Sequence, residues 1–246
     1  MILKEKNDII AWLDSQDITG YTLIFDKTLK SYAVDVNSDV DLRGRGLTEL
    51  PFKFNNIEGY FDCSHNALTS LDGCPKIVNG NFNCSSSNLT SLKYCPEKVH
   101  GNLNCSHNNL NNLEHCTSSV GGSFRCRESQ LTSLEFCPKN IHGDFDCGHN
   151  NLKNLKNCPE NIYGHFLLEN NNIGNLIHFP LSVGGFTDLT RNKMAFIKND
   201  PEYKRYKFEE LYEIHLVQKT LYEKELLSRN IDDCGQKKVT NRIKKI

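Results

Sequence analysis

The sequence has no long hydrophobic run. No stretch of its 246 residues approaches the ~20 apolar residues that a membrane-spanning helix needs. The opening segment, MILKEKNDIIAWLDSQ, meets a charge or an amide every few residues, so a secretory leader is not expected. Charge of one sign is not in excess either: 29 Lys and Arg stand against 30 Asp and Glu, which exerts no net pull on nucleic acid or an acidic membrane. Closely spaced C-x2–4-C pairs, which zinc sites favour, are missing, as are a phosphate loop and a Ser-His-Asp pattern. The length permits one large domain or two small ones. What the chain does have is 11 cysteines, and their spacing decides the reading.

Cys63, Cys84, Cys105, Cys126 and Cys147 recur every 21 residues, and Cys74, Cys95, Cys116, Cys137 and Cys158 keep the same interval, displaced by 11. Other columns share the period. A β-branched column runs Val36, Ile57, Val78, Val99, Val120, Ile141, Ile162, Val183, and a glycine column begins two residues on at Gly59 and ends at Gly185. Next comes Val40, Phe61, Phe82, Leu103, Phe124, Phe145, Phe166 and Thr187; two leucine columns follow, from Leu47 to Met194 and from Leu50 to Ile197. Self-similarity at such a period signals a repeat solenoid. The boundaries expected are an N-terminal cap over 1–35 (a short helix and a β-hairpin), a solenoid of about eight coils over 36–200, and a C-terminal helical cap with a basic tail over 201–246.

Within a copy, Gly80-Asn81-Phe82-Asn83-Cys84 alternates polar with apolar, the pattern of a half-buried strand. Three residues later comes an Asn or Ser (Asn66, Ser87, Asn108, Ser129, Asn150, Asn171, Asn192), able to satisfy backbone groups left open at the strand end. Pro51, Pro75, Pro96, Pro138, Pro159 and Pro180 oppose a helix on the return path, which is expected to be extended or 3₁₀.

The order Phe-x-Cys-x-x-Asn-x-Leu-x-x-Leu is a leucine-rich-repeat signature with phenylalanine and cysteine in two leucine slots. The coil with L-x-x-C-P resembles the short bacterial repeats of type-III-secreted effectors. The fuller wording GNFNCSSSNLTSL and GDFDCGHNNL, with the opening DVDLRGRGLTELPFKF, is closer to repeat proteins encoded by large tailed bacteriophages. That resemblance covers about two thirds of the chain. It implies a leucine-rich-repeat solenoid with a parallel sheet on its concave face, in the host cytoplasm.

The cysteines could be ligands, staples or core. Stacked coils place column neighbours ~5 Å apart with side chains parallel, which suits neither a disulfide nor a zinc site. Leu42, Leu168, Leu189 and Phe179 replace them at the ends, so they read as small buried hydrophobes in a reducing compartment, with no metal or cofactor. His65, His107 and His149 share one position in alternate copies, ~10 Å apart, and read as rim residues.

In the caps, Ile9, Ile10, Trp12 and Leu13 suggest a helix, and Tyr21–Phe25 with Tyr32–Val36 a hairpin. A helix over about 202–228, opened by Pro201 and carrying Phe208, Leu211, Ile214, Val217 and Leu221, is expected to cover the last coil. Lys237, Lys238, Arg242, Lys244 and Lys245 form a solvated tail or a partner contact.

Function is expected on the outward strand positions. Eight strands at ~4.8 Å make a rail of roughly 34 Å. It presents Asp39 and Asp41, then Tyr60, Asp62, Asn81, Asn83, Asn102, Asn104, Ser123, Arg125, Arg127, Asp144, Asp146, His165, Leu167, Phe186 and Asp188. Carboxylates mark the ends, amides the middle, and His165, Leu167 and Phe186 an apolar anchor. This predicts a non-catalytic protein-binding face whose acidic rim prefers a basic partner; the phage resemblance makes that partner a host protein, including one of antiviral defence. Two alternatives stand beside it. One is a virion-associated or other self-assembling structural role. The other is an enzyme of the repeat-bearing ubiquitin-ligase type, for which Cys234 in DDCGQ is a poor match.

Overall fold

The computed structural model describes residues 3–27, 30–194 and 205–243, the side chains of Asp26, Arg205 and 228–243 excepted. It is a β-solenoid whose coils repeat every 21 residues. Helix α1 (Lys6–Ser15) buries Ile9 and Leu13, and Trp12 meets Phe52 edge-on at 5.2 Å. Strands β1 (Tyr21–Asp26) and β2 (Ser31–Val36) form the expected antiparallel hairpin, with Tyr21 opposite Val36.

Each coil then contributes two strands, most of them only two residues long. The Phe-x-Cys positions give β3 (Val40–Asp41), β5 (Phe61–Asp62), β7 (Phe82–Asn83), β9 (Leu103–Asn104), β10 (Phe124–Arg125), β12 (Phe145–Asp146), β14 (Phe166–Leu167) and β16 (Phe186–Asp188). These eight pair in parallel, each apolar residue against the one 21 places on. The β-branched column builds a second set: β4 (Lys53–Ile57), β6 (Ile77–Val78), β8 (Lys98–Val99), β11 (Asn140–Ile141), β13 (Asn161–Ile162) and β15 (Ser182–Val183). Bridges Val99–Val120 and Val120–Ile141 join its two parts, and β2 extends it. The return path is free of helix, as expected, but two residues of most coils join a second parallel sheet. A strand of two residues is too short to show alternation, so the sequence carried no sign of it.

The two sheets close on one core. The phenylalanines stack along it, with ring centroids 6.0 Å apart at Phe61–Phe82 and 5.5 Å at both Phe124–Phe145 and Phe145–Phe166. Cys63, Cys84, Cys105, Cys126 and Cys147 are fully buried, and all ten repeat cysteines are free thiols. The glycine column lets backbones meet at the corner between sheets: Gly101 N–H donates to Gly80 O at 3.0 Å, and a Cβ on Gly101 would lie 2.6 Å from that oxygen.

The Asn column does what its chemistry suggested. Asn108 Oδ1 accepts the N–H of Leu89 in the previous coil (3.0 Å), while Nδ2 donates to Cys105 O, Cys84 O and Ser106 O at 3.0–3.2 Å. His65, His107 and His149 stand at a left-handed turn position, with φ of 54–55°, that is shared with Ser86, Glu128, Asn170 and Arg191.

The C-terminal cap differs from the expected helix. The chain first adds β17 (Arg205–Lys207) antiparallel to β16, covering the sheet edge, and helix α2 runs from Phe208 to Ile243. Its first turns cover the last coil: Phe208 stacks on Phe179, Leu211 is buried, His215 Nδ1 meets Leu176 O at 2.8 Å, and Gln218 accepts Leu176 N–H. Val217 and Leu221 are exposed instead of packed. Ile197, Pro201, Lys244 and Lys245 lie outside the described residues. Among the described residues no helix is long and apolar enough to cross a membrane.

Candidate functional site

Two columns of polar side chains flank the Phe–Cys strands, and each does a defined structural job. In the column before the strand, every suitable side chain caps a backbone N–H of the next coil. Asp39 accepts from Tyr60 (2.9 Å), Asn81 from Asn102 (2.8 Å), Asn102 from Ser123 (2.7 Å), Ser123 from Asp144 (2.9 Å), Asp144 from His165 (2.8 Å) and His165 Nδ1 from Phe186 (3.1 Å). These N–H groups sit just ahead of the strand ladder, and a buried donor left open is costly. In the column after the apolar residue, the side-chain oxygen turns back onto the N–H two residues on. Asp41 caps Arg43, Asp62 caps Ser64, Asn83 caps Ser85, Asn104 caps Ser106, Asp146 caps Gly148 and Asp188 caps Thr190.

The amides of the expected binding face are thus fixed by their oxygens, with their nitrogens left over. Asn83 Nδ2 reaches Asp62 Oδ2 (3.0 Å). The NH₂ groups of Asn81, Asn102 and Asn104 make no hydrogen bond among the described residues. Arg125 and Leu167 interrupt the second column and give up its turn bond; Tyr60 interrupts the first.

Seven of the expected face residues come together. Tyr60, Asp62, Asn81, Asn83, Asn102, Asn104 and Arg125 line an open groove of about 270 Å³ over the strands that carry Phe61 and Phe82, whose rings are buried on the other side. The Tyr60 hydroxyl titrates above its ordinary 10.0, through partial desolvation and then the nearby Asp41 and Asp39 carboxylates, with Arg43 opposing. The groove is therefore acidic around Tyr60 and cationic at the exposed Arg125.

The remaining candidates lie elsewhere. Arg127 is half-buried and paired within the fold: its guanidinium meets Glu169 at 3.0 Å, Asp146 at 3.3 Å and Glu128 at 3.5 Å. Those carboxylates raise its pKa against the desolvation that lowers it. Asp146 is buried beneath it, 4% exposed, so its charge is committed within the fold. Asp144 is half-buried and keeps one oxygen free of backbone. His165 stacks on Phe186 at 3.9 Å, Leu167 is half-buried beside them, and β17 runs along Phe186 and Asp188. These residues lie beside the sheet edge that β17 pairs with, separate from the groove.

Sequence reasoning missed the Arg127–Glu169 pair, which joins residues two coils apart. It is possible because Gly148 stands between them: a Cβ there would lie 2.7 Å from the Glu169 carboxylate. The visible signal was a column of Ser64, Ser85 and Ser106 that changes to Arg127, Gly148 and Glu169.

Nine of the repeat thiols are poor nucleophiles. Burial pushes Cys95 and Cys158 up to about 12 from an ordinary 9.0, and Cys74, Cys84, Cys105, Cys116, Cys126, Cys137 and Cys147 also rise, mainly by desolvation. Among the described residues no group of three or more His, Cys, Asp or Glu is placed to hold a metal ion. Comparison with protein-family models, with curated proteins and with solved structures finds no match.

Proposed function

We propose that this chain is a non-catalytic binding module that engages another protein through the outward face of its Phe–Cys sheet. The observation that supports this best is the groove, where Arg125 and the Asn81, Asn102 and Asn104 amides offer donors that the fold does not use. The capping columns account for Asn, Asp and Ser on structural grounds alone. They do not account for Tyr60 or Arg125, which forgo a cap and stand at the two ends of one groove. In the reading that follows from the leucine-rich-repeat resemblance, the module is a phage-encoded factor that occupies and inhibits a host protein, in the cytoplasm, including a component of antiviral defence. Asp39, Asp41, Asp144 and Asp188, at the ends of the face, favour basic surface on that protein around the groove.

A self-assembling role is the second reading, supported by α2: Leu216, Val217, Leu221, Leu226 and Leu227 are exposed on one short stretch. Cross-linking capture from host lysate, comparing the native chain with a Tyr60→Ala, Arg125→Asn variant and with Lys98→Glu on the other sheet, separates the two. A partner lost with the first variant and kept with the second supports the binding face. A partner, or a second copy, that survives both and disappears with Leu221→Lys and Leu227→Lys transfers the role to the helix and refutes the face.

A further inference from the structure

We infer that the groove between Tyr60 and Arg125 takes an acidic segment of a polypeptide, with an Asp or Glu carboxylate seated at Arg125. The inference rests on the binding-face reading and specifies the chemistry of what occupies it. It follows from how the hydrogen bonds are distributed. Asn81 Oδ1, Asn102 Oδ1 and Asn104 Oδ1 each accept a backbone N–H, so what these side chains present to the groove is N–H. Arg125 adds a guanidinium that no carboxylate of the described residues pairs with, because its neighbour Arg127 takes Asp146, Glu128 and Glu169.

The carboxylate of the groove is already engaged within the fold. The single lining carboxylate, Asp62, accepts from Ser64 N–H (2.9 Å) and Oγ (2.6 Å) through one oxygen and from Asn83 (3.0 Å) through the other. A basic side chain entering here would find a carboxylate that already accepts three hydrogen bonds and would face the Arg125 charge. A carboxylate would find a forked cation with amide donors beside it, an arrangement that suits two-point recognition. The basic surface favoured by the carboxylates at the ends of the face then lies outside the groove, flanking the acidic residue.

The length fits a short extended segment. Phe61 to Phe124 spans three coil spacings, about 14 Å, or roughly four extended residues. Charge sets its direction: the carboxylate goes to Arg125, away from Asp39, Asp41 and Asp62 around Tyr60.

The repeat itself supplies variants that test this without threatening the fold. Asn is the native residue of the Arg125 column at Asn83 and Asn104, where it caps a turn, so Arg125→Asn removes the cation and restores a cap. Asp is native in the Asn102 column at Asp39 and Asp144, so Asn102→Asp keeps the capping oxygen and replaces the outward donor with an acceptor. Fluorescence anisotropy would use a labelled short peptide carrying paired glutamates and its Gln and Lys counterparts. The Glu peptide should bind most tightly and weaken with salt. Arg125→Asn and Asn102→Asp should each weaken it about fivefold to tenfold, with unchanged melting temperatures. Equal or tighter binding of the Gln or Lys peptide, an unchanged Kd in Arg125→Asn, or no binding of any of the three overturns the inference. In those cases a host partner that still depends on Tyr60 and Arg125 in cross-linking leaves the binding face standing, whereas loss of both results removes both.

Discussion

The Asn column contains two gaps, and filling one should stabilise the protein. Leu47, Leu89, Leu131, Leu152 and Ile173 each donate their N–H to an Asn Oδ1 of the following coil, at 2.9–3.0 Å. Leu68 and Leu110 face Ser87 and Ser129 by the same spacing, and both serine hydroxyls are buried without a partner. Ser87→Asn would place an oxygen against Leu68 N–H and an amide near Cys84 O and Cys63 O, as Asn108 and Asn150 do in their coils. Three added bonds at about 0.5–1.5 kcal/mol each, less about 1 kcal/mol for fixing the side chain, leave a gain of about 2 kcal/mol. For a chain of this size that is about 4–8 °C in Tm. Differential scanning calorimetry on the native protein, Ser87→Asn and the mirror variant Asn108→Ser would measure it. The expected shifts are upward and downward by similar amounts. A Tm that is unchanged or lower in Ser87→Asn, with the expected fall in Asn108→Ser, would show that the serine coils lack room for the amide and refute the reasoning.

The buried thiols predict an alkaline limit. Their pKa is raised on folding, so they add nothing to the pH dependence below about 8.5, where both states are protonated; above it the unfolded chain ionises first and stability falls until the folded value, about 12 for Cys95 and Cys158, is passed. Each such thiol contributes a slope of about 1.4 kcal/mol per pH unit, so thermal melts should collapse within about one to two units above pH 9, and a native circular dichroism spectrum at pH ~11 would refute this. Gly101→Ala should cost about 2–3 kcal/mol, because its Cβ would meet Gly80 O at 2.6 Å and Asn81 Oδ1 at 2.5 Å; urea denaturation with an unchanged midpoint would show that the coils can separate to admit it.

How far the sequence could be read depended on range. The 21-residue period, the buried Phe, Cys and Leu columns, the hairpin and the capping Asn column were visible because each is a local pattern repeated many times. The second sheet was not, since a two-residue strand is defined only by its neighbour one coil away. Residues 205–207 could not be recognised as a strand before they were paired, because β17 exists only by pairing with β16.

The same divide holds for the face. Its outward residues follow from alternation along Phe-x-Cys, and seven of them meet in one groove. Which end of each amide points outward does not follow, because that depends on a backbone N–H 21 residues away. Nor does the fate of the two arginines: Arg125 and Arg127 look alike in sequence, yet Gly148 allows Glu169 to reach Arg127 alone. The sequence by itself determined the solenoid, since a fixed period forces successive coils to bury the same columns on one another. Tertiary structure decided which polar groups the fold consumes and which it leaves to a partner, since hydrogen bonds between coils join residues that no local pattern links.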